Sequence, residues 1–351
     1  MPAELPDGLA WLGPPPAPAA GEVIALLVTR NEALRLPAAL AHLRAQGVHR
    51  AYVVDNLSTD ATREIAAAHP WVHLMHAPGS YAASGFGIAW ANAVLDRFAR
   101  NHWALVVDAD ELLVFPGSES HGLPALCAHL ASLGSEALRS ILLDCFPPGP
   151  LHRLAYAPGE ALTAAAPCFE PPALWAEAVP NFPYQQEYGG VRERLFFAET
   201  NPARPLRRLH QKAWNLATRL GASRCLQRFA PGRSPTVTKL PLVFWRPGAA
   251  LLASTHQLAP MRLAPGQPSG VLLHYKFLQD FHERAVDAVQ RGAHWNGSGE
   301  YRRYLAALAA NPDFGLNGPL SLRYEGPAQL IALGLMQDSA AWLTQRQGDA
   351  T

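Results

Sequence analysis

The chain has 351 residues, 49% of them hydrophobic and 16% charged, enough apolar material to bury a large core in one big domain or in two. Its formal net charge of +1 creates no global field towards nucleic acid or an anionic membrane, so specificity has to come from local sites. The longest apolar runs, such as LIALGLM from Leu330, fall well short of the roughly 20 residues that span a bilayer, which excludes a transmembrane helix.

The proline-rich lead over residues 1–20 carries acidic residues and lacks the basic start and apolar middle of a signal peptide. A cytoplasmic location is the expectation. Cys127, Cys145, Cys168 and Cys225 show no paired spacing, so reduced, mostly buried thiols are expected rather than a zinc site or a disulfide framework.

EVIALLVTRNE, from Glu22, is an almost continuous apolar run of the kind that forms a strand buried on both faces, and it turns polar at Thr29. LRLPAALAHLRAQG then spaces Leu36, Leu40 and Leu43 as a helix, with Pro37 in its first turn and Gly47 as its stop. AYVVDNLSTDATREIAAAHP repeats the plan, its helix capped by Asp60 or Ser58 and closed before Pro70. VHLMHA predicts a third strand, residues 86–100 a third helix with Ile88, Ala91, Leu95 and Phe98 on one face, and WALVVDADELLVF a fourth strand.

This alternation predicts right-handed βαβ units in a mostly parallel sheet, in which ligands gather at the carboxyl ends of the strands. The polar ends TRNE, DN and DADE are therefore expected to share one pocket. An Asp-x-Asp at such a tip suits a hard divalent cation that shares its shell with substrate phosphates. The plain structural alternative is a polar strand end whose acids cap the next turn.

Past residue 145 the chain is rich in proline and aromatic residues, which suggests ordered loops or an insertion. Phe146, Phe169, Trp175, Phe182, Tyr184 and Tyr188 offer a sugar-stacking platform, although such residues more often pin a loop to a core. Trp90 and Trp103 read as packing. Arg204, Arg207, Arg208 and Lys212 form a basic run whose default is a solvated loop. TKLPLVFWRP predicts a later strand, and from VLLHYKFLQDF onward the pattern is read as helical.

The segment VTRNEALRLPAALAHLRAQGVHRAYVVDNLSTDATREI, followed by WALVVDADELLVF, resembles glycosyltransferase family 2 of the GT-A fold, in the branch with RNE, DN.S.D.T and DADE motifs. The likeness is specific over residues 22–116 and returns weakly at STH (254–256) and HYKFLQDF. It implies an α/β, Rossmann-like, mostly parallel sheet flanked by helices, divided into the lead (1–20), a GT-A domain (21–260, with a loop-rich insertion at 145–190) and a mainly helical C-terminal extension (261–351).

The resemblance further implies that Thr29, Arg30, Glu32, Asp55 and Asn56 hold the base and ribose of a nucleotide-sugar donor. Asp108 would touch the ribose or the metal shell, and Asp110 would ligate Mn2+ or Mg2+ on the diphosphate. A late histidine would complete the metal site, His256 before His274, although a buried core histidine is an equal reading of either. Asn56 departs from the family pattern, in which a second Asp is common, and leaves the choice between a UDP- and a GDP-sugar open.

Lys276, Arg246 and Lys212 are candidates to assist the leaving diphosphate. Glu193, ahead of Glu187, is the candidate base of an inverting transfer; its ordinary reading is an ion pair with Arg192 or Arg194. The acceptor is expected to be a carbohydrate or a lipid-linked glycan precursor, with peripheral membrane contact as the one membrane association left open. The competing readings are a non-catalytic sugar-nucleotide-binding module and a sugar-phosphate nucleotidyltransferase, which ordinarily places a glycine-rich loop where this chain has VTRNEALRLP.

Overall fold

The computed structural model describes residues 8–12, 17–178, 184–198, 216, 234–252, 256–292 and 294–348. The first third alternates strand and helix as the sequence predicts. β1 (Ala10–Trp11), from the proline-rich lead, precedes β2 (Val23–Thr29), α1 (Leu36–Ala45), β3 (Arg50–Asp55), α2 (Thr62–Ala67), β4 (Val72–His76), α3 (Ile88–Phe98) and β5 (His102–Val106). The period of β2 explains the layering: Val23, Ala25 and Leu27 pack with Leu36, Leu40 and Leu43 of α1, whereas Ile24 and Leu26 pack with Trp90, Val94 and Leu95 of α3. Gly47, with φ +83°, closes α1 where a Cβ would stand 2.9 Å from Pro124 Cδ, so only glycine fits without a shift.

The acidic stretch does not close one continuous strand. β5 ends at Val106, residues 107–110 form a turn, and β6 (Glu111–Val114) begins a separate strand at the edge of the sheet, with three strands between it and the central β5. An unbroken buried strand would force Asp108 and Asp110 into one apolar face; the break exposes Asp108 and turns Asp110, still buried, towards His274 and Arg284.

The remaining elements are α4 (Leu123–Ser132), β7 (Ala137–Phe146), α5 (Leu162–Ala165), β8 (Cys168–Phe169), β9 (Trp175–Ala178), β10 (Gln185–Tyr188), α6 (Val191–Phe196), β11 (Thr238–Trp245), β12 (Ala250–Leu251), β13 (Leu258–Ala259), β14 (Gly270–His274), α7 (Phe281–Arg291), α8 (Trp295–Ala310), β15 (Leu322–Arg323), α9 (Pro327–Ala332) and α10 (Ala340–Gly348). VLLH is thus a buried strand, not the start of a helix; an apolar run this short has no periodicity to tell the two apart.

The main sheet runs in the order β1-β4-β3-β2-β5-β11-β7-β14-β6. β2 to β5 are mutually parallel, β11 is antiparallel to both β5 and β7, and β14 is parallel to β7 and antiparallel to β6. The architecture is a mixed, mostly parallel sheet flanked by helices, followed by a helical C-terminal region. A division at residue 260 cuts through this sheet, because β14 lies inside it. The far end is equally integrated: Trp342 of α10 is fully buried in the core cluster of α1 and α4, and its Nε1 donates to Pro116 O at 2.8 Å. Among the described residues, no helix is long and apolar enough to cross a membrane.

Candidate active site

β3 and β5 lie on opposite sides of β2, so the strand order reverses there and opens a crevice at the strands' carboxyl ends. A cavity of about 530 Å3 fills it, lined by Thr29, Arg30, Asn31 and Glu32 after β2, Asn56 after β3, Asp108 and Asp110 after β5, His274 and Lys276 after β14, and Arg284 and Tyr301 from α7 and α8. The three polar strand ends do share one pocket.

The residues of DN.S.D.T build the pocket's frame. Successive backbone amides of the first loop are held by this second loop: Asn31 N donates to Ser58 Oγ (2.9 Å), Glu32 N to Thr62 Oγ1 (2.8 Å) and Ala33 N to Asp60 Oδ2 (3.0 Å). Arg30 Nη1 returns the contact, donating to the carbonyls of Asn56 and Leu57 at 3.1 and 2.7 Å. Asp55 is fully buried below this frame, accepts from Ser58 N at 3.3 Å and does not line the cavity. It holds the turn after β3, while Asn56 beside it lines the cavity and donates to Ala77 O and Gly79 O at 2.8 and 2.9 Å.

Asp110 is buried, with Oδ2 3.6 Å from His274 Nε2 and 3.9 Å from Arg284 Nη2. Burial alone would raise its carboxyl, but His274, Arg284, Arg35 and Lys276 outweigh it and hold the group well below the usual carboxylate range. The other nitrogen of His274 lies 2.6 Å from Asp144 Oδ1. This is the carboxylate–histidine arrangement that orients metal-ligating imidazoles. Among the described residues no group of three metal-ligating side chains forms; in the cavity, the carboxylate of Asp110 and the imidazole of His274, donors of the kind a divalent ion takes, face each other.

Residues 25–114 match the Glycosyl transferase family 2 model. No curated protein matches the chain. Among solved structures, glucosyl-3-phosphoglycerate synthase from Mycobacterium tuberculosis, in complex with Mn2+, UDP and glucosyl-3-phosphoglycerate, is 15% identical over 35% of this chain and 44% of its own, with a TM-score of 0.24. 4-diphosphocytidyl-2C-methyl-D-erythritol synthase is 20% identical over 36% and 62%, with a TM-score of 0.25. HddC from Yersinia pseudotuberculosis is 13% identical over 37% and 63%, with a TM-score of 0.24. The chain thus spans roughly half the length of these structures, and at such scores none of them bears on the placement of its residues.

Outside the family 2 segment, β7, β14, α6 and α8 contribute a buried chain of charges. Arg192 Nε donates to Asp144 Oδ2 at 2.7 Å, and its Nη1 lies 3.4 Å from Glu300, which is also 3.4 Å from Lys276 Nζ and accepts from the Tyr304 hydroxyl. Lys276 Nζ stands over the rings of Tyr301 and Tyr304, at 4.8 and 5.3 Å from their centroids. Against burial, Arg192 and His274 lower Asp144 to about 2, and Lys276 and Arg192 lower Glu300 to about 2.

The family 2 segment is tied to this half by Arg35, which has no exposed surface. Its guanidinium grips Asp280 at 2.6 and 2.7 Å and donates to the carbonyls of Tyr275 and Lys276 at 2.9 and 3.2 Å. Behind Asp108, Lys239 of β11 lies 3.6 Å from its carboxylate and 2.7 Å from Glu111.

Other expected residues lie elsewhere. His256 does not line the cavity; its Nδ1 is bonded to Thr238 O at 2.7 Å, and burial, aided by Lys239, pushes it down to about 3. His274, the second choice, takes the place beside Asp110. Glu193 is buried and accepts from Ser234 Oγ at 3.4 Å, Glu187 pairs with Arg139 at 2.6 Å, Arg246 pairs with Glu136 at 3.3 Å, and none of the three lines the cavity. Phe146, Phe169, Tyr184 and Tyr188 are core residues. Tyr81, His294 and Tyr301 line the cavity instead, in contact in series, edge-on at 5.8 Å and tilted at 4.7 Å between ring centroids.

Trp90 packs in the core, and Cys127, Cys145 and Cys168 are free and buried. Arg204, Arg207, Arg208, Lys212, Phe182, Cys225 and the side chain of Trp175 lie outside the described residues. Sequence reasoning missed Arg35, Asp144, Arg192, Arg284 and Glu300. For Asp144 the signal is present: it closes the apolar run SILLD just as the DADE acids close WALVV.

Proposed function

We propose that the chain is an inverting, metal-dependent glycosyltransferase that moves a sugar from a nucleotide diphosphate to an acceptor hydroxyl in this crevice. The observation that carries the reading is the pair Asp110–His274 at the strand-order reversal, inside a cavity rich in acids. Among the described residues its lining holds seven carboxylates (Glu32, Asp60, Asp108, Asp110, Asp280, Glu283, Asp287) against four permanent cations (Arg30, Lys276, Arg284, Arg291). A diphosphate entering alone would meet an excess of like charge, so the donor is expected to enter with a cation.

Asp110 and His274 are the residues that would hold Mn2+ or Mg2+. When bound, the ion supplies Lewis-acid stabilisation of the charge that develops on the departing diphosphate, worth several kcal/mol. Asp108, whose side chain is half exposed, remains available to a ribose hydroxyl or to water in the ion's shell. Thr29, Arg30 and Asn56 face the base and ribose. Lys276, fixed by Glu300 and the two tyrosine rings, adds a preorganised positive charge beside the leaving group. The base must come within about 3 Å of the acceptor hydroxyl. Glu283, an exposed carboxylate that lines the cavity, replaces Glu193 as the candidate.

The donor is a UDP- or GDP-sugar and the acceptor a carbohydrate or lipid-linked glycan. The first loop lacks a glycine-rich phosphate cradle and commits Glu32 to Arg284, which speaks against a nucleotidyltransferase. Calorimetry with both donors, with and without Mn2+, followed by a product assay, tests the reading. Binding is expected to require the ion, and transfer is expected to vanish in Asp110→Asn. Undiminished turnover by that variant overturns the assignment.

A further inference from the structure

Beyond the two residues that would touch the ion, the sheet itself builds a device behind His274. β7 and β14 are parallel neighbours in which Asp144 is the register partner of His274, so both side chains leave the same face of adjacent strands at their carboxyl ends. Asp144 Oδ1 lies 2.6 Å from His274 Nδ1, while Oδ2 accepts from Arg192 Nε at 2.7 Å. The side chains of Asp144, His274 and Arg192 are 4%, 7% and 6% exposed, so water does not compete for these bonds.

We propose that Asp144, held by Arg192, is the positioning residue that fixes the tautomer of His274, so that Nε2 presents its lone pair beside Asp110 Oδ2 to a divalent cation. The inference rests on the donor-site reading above and adds two residues to it. An ionised carboxylate only accepts, so the 2.6 Å contact keeps a proton on Nδ1, and Nε2, which faces Asp110 at 3.6 Å, is the nitrogen that gives up its proton when a cation binds. A purely structural Arg192–Asp144 ion pair would not need an imidazole between it and a cavity acid. Arg192 is held on two sides, Nε by Asp144 and Nη1 by Glu300.

Asp144→Asn separates positioning from shape. The amide keeps the size of the carboxylate but can donate from Nδ2 to Nδ1, which favours the tautomer with the proton on Nε2, where the cation belongs. Mn2+ titrations of the full chain, followed by electron paramagnetic resonance with UDP present, are expected to show wild-type binding and its loss in Asp110→Asn. A 10- to 100-fold weaker dissociation constant is expected in Asp144→Asn, and near-wild-type affinity in Arg192→Lys. An Asp144→Asn variant that binds Mn2+ as wild type, while Asp110→Asn does not, overturns this inference alone. Absence of Mn2+ binding by the wild type overturns it together with the donor-site reading.

A wild-type measurement covers the case in which Asp144→Asn fails to fold. Nitrogen NMR of the labelled histidine rings, assigned by difference against His274→Gln and titrated with Zn2+ as a diamagnetic probe, is expected to show a protonated Nδ1 and a metal-bound Nε2. A His274 ring with its proton on Nε2 in the presence of Zn2+ overturns the inference.

Discussion

Glu32 and Arg284 form a two-pronged ion pair between the first strand's exit loop and α7, with Nη1 2.9 Å from Oε2 and Nη2 2.8 Å from Oε1. Burial raises the Glu32 carboxyl to about 7 against the pull of Arg284 and of Arg35, whose Nη1 lies 3.9 Å from Oε2. Arg284→Met removes the two-pronged partner and leaves the buried acid with the more distant Arg35 alone. The variant is expected to lose on the order of 3 kcal/mol of stability, measured by urea unfolding. A midpoint and slope equal to the wild type's would show that the pair contributes nothing.

Acid sensitivity follows from Glu300 and Asp144. Both are lowered to about 2 in the fold, from ordinary values of 4.5 and 3.8, because Lys276, Arg192 and His274 outweigh the cost of burial. A carboxylate depressed in the folded state contributes stability above its unfolded pKa and loses it as pH falls towards the folded one. The stability advantage of wild type over Glu300→Gln is therefore expected to shrink steadily between about pH 4.5 and 2. An advantage that stays constant across that window refutes the link.

Lys239 and Glu111 form a buried pair whose side chains are 3% and 1% exposed. Lys239→Met is expected to cost about 3–5 kcal/mol, because Glu111 is left uncompensated. The double variant Lys239→Met/Glu111→Leu, apolar at both positions, is expected to recover most of that loss. Denaturant melts of the three proteins decide it: a double variant no better than the single one means that the pair's geometry, rather than its charge, matters.

The C-terminal helices melt with the sheet if Trp342 does what its burial implies. Trp342→Ala removes a fully buried indole and its bond to Pro116 O, and is expected to cost about 3–5 kcal/mol in one cooperative transition. A variant that unfolds in two steps, with the sheet intact after the first, would instead make α10 an independent unit.

The first three βα units are readable because β2 and β3 are long apolar runs and α1 and α3 carry their apolar residues at helical spacing. The pocket follows, since three polar strand ends in one parallel sheet must lie together. The break inside WALVVDADELLVF is not readable: the apolar residues on both sides of the acids look alike, and only long-range pairing with β2 and β14 separates β5 from β6. His256 and His274 also look equivalent in one dimension. What distinguishes them is the parallel register of β14 on β7, a contact across 130 positions of sequence. Asp55 is ambiguous for a related reason, because an acid at a strand end suits a turn as well as a ligand, and its burial and its bond from Ser58 N come from the fold.

Arg35 sets a rule for any recombination of this protein. Its guanidinium belongs to the exit loop of β2, yet it donates its hydrogen bonds to residues 275, 276 and 280. A chimera that grafts a foreign C-terminal half onto the segment matched by the family 2 model inherits a fully enclosed cation, and tolerates it only if the donor of the graft brings an acid and two free carbonyls to the same three places.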